Sequence, residues 1–147
     1  MALHLIKLCV GADSVDDLFD WFASGNADWT GPRGTKAVAH LTRQVPKRAA
    51  ELVVGGSLYW IIRGRILVRQ RVLAIETVAD PEGLKRCAVV MDPKLVLTQP
   101  QPHRPFQGWR YLEAARAPAD LCPYKRGAGS GAASLKAELV ELGLIQP

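Results

Sequence analysis

The chain has 147 residues, 48% of them hydrophobic, and 19 Lys and Arg against 14 Asp and Glu give it a net charge of +5. That length and apolar content suffice for one core without covalent staples and exclude an intrinsically disordered chain. Apolar runs such as residues 58–62 and 66–68 are too short to span a bilayer.

Residues 1–8 are interrupted by His4 and Lys7, with no basic stretch ahead of them, so no secretory signal is expected and the expected compartment is the cytoplasm. Three cysteines, Cys9, Cys87 and Cys122, are widely separated. An odd, scattered set predicts neither a disulfide framework nor a metal site, and no cofactor is expected. The charge is unevenly spread. Residues 33–71 carry nine bases and one acid, Glu51, whereas residues 1–32 carry one base and five acids. A concentrated positive field attracts anions, of which nucleic acid is the commonest large one.

Residues 3–10 are apolar on both alternating faces and read as a central strand. Ser14 is placed to cap a helix, with Asp17 in a capping-box-like position and Val15, Leu18, Phe19 and Phe22 on one face. Residues 26–34 read as a loop and 37–42 as a second strand. Pro46 suits the start of a short helix running to about residue 54 and closed by Gly55 and Gly56. Strands are expected over 58–62, over 66–78 with a bend near Gln70, over 86–91 and over 95–98. Residues 99–105 read as a Pro-rich extended loop, 109–112 as ordered, 127–133 as a flexible linker and 134–147 as a final helix capped by Ser134. The expected organisation is one α+β domain over 1–126, with five or six strands and about three short helices. The strands from residue 58 onward would form an antiparallel meander, in a small curled antiparallel or mixed sheet or a pseudobarrel.

Three groups of residues could carry chemistry. Thr42, Arg43, Lys47 and Arg48 surround the predicted start of the second helix, where unpaired N–H groups and cations suit a phosphate. Arg63, Arg65, Arg69 and Arg71 lie around a turn and along one strand face, and the planar arginine fork suits phosphates and base edges. Arg104, Phe106, Trp109, Arg110 and Tyr111 combine rings with cations, as sites for single-stranded bases do. Of Tyr59 and Trp60, which point to opposite faces, one is expected in the core, and Trp60 joins Trp109 and Tyr111 as a stacking candidate. No nucleophile elbow or phosphate-binding glycine loop is present, so no catalytic residue is assigned.

The segments Leu3-His4-Leu5-Ile6-Lys7-Leu8-Cys9-Val10-Gly11, Pro46-Lys47-Arg48, Gly55-Gly56-Ser57-Leu58-Tyr59-Trp60, Arg69-Gln70-Arg71 and the run from Arg104 to Leu112 resemble a bacterial, mainly alphaproteobacterial, family of unknown function and similar length. The order of a strand, Thr-Arg, a short helix ending in Gly-Gly and a strand meander is similar to the PUA-like and ASCH-type domains. That resemblance implies a small pseudobarrel that binds RNA. Some ASCH-type members hydrolyse a modified nucleoside using Lys, Thr and Glu, but here Ser57-Leu58-Tyr59-Trp60 stands where the acid is expected.

The expectation is therefore a module that binds nucleic acid, RNA rather than DNA. The basic residues Arg43, Lys47, Arg48, Arg63, Arg65, Arg69, Arg71, Arg104 and Arg110 would contact phosphate, and Trp60, Trp109 and Tyr111 would stack. A small enzyme on a nucleotide-like anion, using Thr42, Arg43 and Lys47, is one alternative. A protein-interaction module anchored by the 106–111 loop is another.

Overall fold

The computed structural model describes residues 2–125. The linker and final helix expected over 127–147 lie outside the described residues. Nine strands form one mixed, curled sheet: β1 (Leu3–Leu8), β2 (Asp28–Thr30), β3 (Lys36–Thr42), β4 (Ser57–Ile62), β5 (Arg65–Ala79), β6 (Lys85–Met91), β7 (Val96–Pro102), β8 (Trp109–Glu113) and β9 (Asp120–Pro123). The main path runs β2-β3-β6-β5-β4-β1-β8, with β7 and β9 branching from β5. β1 pairs in parallel with β4, and the remaining pairings are antiparallel.

Two α-helices, α1 (Val15–Ala23) and α2 (Ala49–Leu52), join these strands. The start of α1 follows from its sequence. The Asp17 N–H donates to Ser14 Oγ at 3.1 Å, and the Asp17 carboxylate accepts from the Asp13 N–H at 2.9 Å. Its buried residues, Leu18 and Phe22, join Leu5, Val38, Leu58, Trp60, Val68, Val89 and Met91 in the main core. A second cluster, Ile6, Tyr59, Ile61, Ile66 and Leu112, lies apart from it.

Between α2 and β4 stand two glycines with different roles. Gly55 has φ +80, a region that favours glycine. A Cβ on Gly56 would sit 2.3 Å from the Leu3 carbonyl oxygen and 2.4 Å from that of Leu52. The second glycine therefore lets α2 and β1 close against one another.

Several expectations need correction. The helix expected from Pro46 begins at Ala49 and lasts four residues, because no side chain caps it and Gly55 ends it. The strands from residue 58 do not form a simple meander. β5 pairs with β4 and β7 along its first half and with β6 along its second, while β6 turns away to pair with β3. β5 is longer than expected, and its pairing with β6 shifts register between Val72 and Ala74, two residues beyond the bend expected near Gln70. The Pro-rich segment expected as loop is largely strand, because β7 extends to Pro102 with irregular pairing. β2 and β9 arise in segments with no strand pattern and are held by β3 and β7 respectively.

Candidate functional site

A cleft of about 1110 Å³ opens where the end of β1, the end of β3, the β5–β6 turn and the β7–β8 connection meet. β1 contributes Lys7 and Leu8; β3 and the residues after it contribute His40, Thr42, Arg43 and Gln44. Asp80 and Arg86 form a third side, and residues 106–109 form the wall that faces them.

Strand alternation brings Lys7 here. Leu3, Leu5 and Cys9, at alternate positions to Lys7, are buried in the main core, so Lys7 interrupts an otherwise apolar row. Its register partners are Trp60 on β4 and Trp109 on β8. Burial lowers its pKa from the ordinary lysine value. Among the described residues no carboxylate pairs with Lys7.

His40 lies edge-on to Trp60, with ring centroids 5.1 Å apart. Its Nε2 is buried without a hydrogen-bond partner among the described residues. Burial, aided by the Lys7 charge, pushes its pKa down to about 4. His40 is therefore neutral at physiological pH. Across the cleft, Asp80 accepts N–H bonds from Leu84 and Glu82 and pairs with Arg86 at 3.1 Å, and these partners hold its carboxyl below the usual range. Arg86 is thus partly neutralised, whereas Lys7 and Arg43 have no acidic partner among the described residues.

The wall is held from behind. The Trp109 indole N–H donates to the Gln44 carbonyl at 3.0 Å, and the Tyr111 hydroxyl accepts from the Arg48 N–H at 3.1 Å. The two rings pack at 67° with centroids 5.1 Å apart. Gly108, at φ +74, sits on the rim with nothing near the place of a Cβ.

The basic residues expected to converge do not share this surface. Of the nine bases in residues 33–71, Arg43 alone lines the cleft. Lys47 precedes α2 and is exposed. Arg48 is bound to Glu51 at 2.6 Å and lies 5.5 Å from the Tyr111 ring centroid. With its N–H given to Tyr111, the phosphate site expected at that helix start has no donor to offer there. Arg63 stands 3.8 Å from Asp13 at an exposed turn. Arg69 grips both carboxylate oxygens of Asp120 at 2.8 Å and also donates to Ser57 Oγ, which makes it a structural brace between β5, β4 and β9. Arg65, Arg71 and Arg104 are exposed away from the cleft lining. Arg110 lies over the Phe106 ring at 4.3 Å, on the outer side of the wall-forming loop.

Trp60 is 2% exposed and donates to Gln70 Oε1 at 2.9 Å. It is a core residue and offers no face for stacking. Tyr111 is half-buried between Arg48 and Trp109, so Trp109 is the expected stacking residue that lines the cleft. Sequence reasoning missed Lys7, Asp80 and Arg86 and set His40 aside. The signal for Lys7 was present as the one charged position in the row Leu3, Leu5, Lys7 and Cys9.

Among the described residues no group of three His, Cys, Asp or Glu side chains is placed to hold a metal ion, and no helix is long and apolar enough to cross a membrane. No curated protein and no solved structure matches the chain. A family model spanning residues 5–145 does match, and on that extent the chain belongs to the family described as protein of unknown function, DUF1489.

Proposed function

We propose that the chain is a nucleic-acid-binding module that takes single-stranded RNA into this cleft. The observation that carries the reading is the meeting of two cations without acidic partners, Lys7 and Arg43, with the Trp109 wall in one concavity. Cations neutralise phosphate, while an aromatic face accepts any base. Gln44 and Gln107 add amides that can bond base edges. The curled sheet, with its short helix closed by two glycines, suits the PUA-like layout and is in keeping with RNA as the ligand. Free thiols at Cys9, Cys87 and Cys122 fit a cytoplasmic setting.

The enzymatic alternative draws on the same cleft, but of Thr42, Arg43 and Lys47 the last does not line it. An interaction module is less favoured, because Trp109 stands beside Arg43 rather than on an apolar patch apart from cations. The test is fluorescence anisotropy with a labelled mixed-sequence single-stranded RNA at two salt concentrations. Binding should weaken with salt, and Arg43→Ala should lower affinity about tenfold while leaving the fold intact. Absent or salt-independent binding by the wild-type chain would reject the proposal.

A further inference from the structure

The closed end of the cleft has a chemistry distinct from its mouth. Lys7 lies there, partly buried, its strand neighbours Leu5 and Cys9 in the core. The structure behind it is closed, since Leu5, Val38 and Trp60 are each at most 2% exposed. Arg43, by contrast, is exposed at the mouth, and Thr42 lies between His40 and Arg43 in sequence along the same lining.

A blind recess with a buried cation constrains its ligand. A phosphodiester inside a strand has chain on both sides, and both arms would have to leave through one mouth. A phosphomonoester has a single attachment, carries about −1.5 to −2 charge at neutral pH and presents three oxygens. It can enter end-on and place its charge against the Lys7 ammonium, whose desolvation is otherwise uncompensated. The Thr42 hydroxyl can donate to the same group. The neutral His40 ring adds no competing charge to the recess.

We propose that the recess at Lys7 and Thr42 recognises a phosphomonoester, the phosphorylated end of an RNA strand, while Arg43 and Trp109 hold the adjoining nucleotide. This inference rests on the cleft being the RNA site. It adds that the site reads a strand end rather than an internal stretch.

The experiment measures binding of three probes by calorimetry. They are a short single-stranded RNA with a terminal phosphate, the same RNA with hydroxyl ends, and inorganic phosphate. Phosphate is placed at either end in separate samples. The phosphorylated RNA should bind at least about tenfold more tightly than its hydroxyl-ended counterpart. Lys7→Met, which keeps the stem and removes the charge, should erase that difference while leaving affinity for hydroxyl-ended RNA within about twofold. Thr42→Val should reduce the difference without erasing it.

Inorganic phosphate should compete with phosphorylated RNA and leave hydroxyl-ended RNA in place, which identifies the phosphoryl group itself as the ligand of the recess. Equal affinity for both RNAs in the wild-type chain would overturn the inference and leave the binding function standing. No binding of either RNA would remove both. A preference that survives in folded Lys7→Met, checked by circular dichroism, would also overturn it.

Discussion

His40 shows how a single side chain shapes this molecule's response to acid. Its folded pKa lies near 4 and its ordinary value is 6.5. The unfolded chain therefore binds this proton more tightly than the folded chain does. Acid then favours unfolding, and the loss accumulates as pH falls from 6.5 towards 4. His4, lowered chiefly by burial, acts in the same direction. The carboxylates Asp80 and Asp120 are held below 3.8, so the stability they contribute disappears at lower pH still. We expect His40→Gln, which carries no proton in either state, to flatten the fall between those limits by up to about 3 kcal/mol. Urea unfolding at a series of pH values checks this, and an unchanged slope would show that His40 does not titrate with folding. His40 was visible in the sequence as an isolated histidine without ligand partners. Its unsatisfied Nε2 was not visible, because that depends on Trp60 arriving from another strand.

At the level of elements, legibility followed the range of the forces involved. The start of α1 could be read because Ser14, Asp17 and the apolar stripe act within a few residues of one another. β4 and β6 could be read because their buried residues are contiguous in the chain. β2 and β9 carry no such pattern. They are strands because β3 and β7 offer edges to them, and that information lies far away in sequence. Gly56 is an intermediate case, since the double glycine announces a stop but not the backbone pressed against it. We expect Gly56→Ala to cost about 3 kcal/mol or more, because both near atoms are backbone carbonyl oxygens that cannot rotate aside. Thermal unfolding of that variant should show a clear drop in Tm. Gly108→Ala should cost less, because its strained φ is not accompanied by any nearby atom.

For the whole molecule, the charge asymmetry of the chain was legible but its convergence was not. Strand alternation explains this. Arg65, Arg69 and Arg71 take the face of β5 opposite Val68, Gln70 and Val72, and the last three are the buried ones. The basic stretch is thus spread over different sides of the fold, and the cleft gains its charge from Lys7 and Arg86, which lie outside it. A shallow salt dependence follows. With two or three phosphate contacts, log affinity should fall by only about 1.4–2 per log unit of salt. Arg69→Met should leave RNA affinity unchanged while lowering stability by about 1–2 kcal/mol, measured by chemical denaturation. A slope several times steeper, or a loss of affinity in Arg69→Met, would place the polyanion elsewhere.

The bonds behind Trp109 and Tyr111 have one more consequence. β8 joins the sheet through β1 alone, yet it also clasps the chain between β3 and α2 at Gln44 and Arg48. The Arg48 amide, though it belongs to a connection, should therefore trade its hydrogen for deuterium as slowly as its neighbours in the sheet. If so, the recess is rigid before any guest arrives, and a guest would spend little of its binding energy on shaping it.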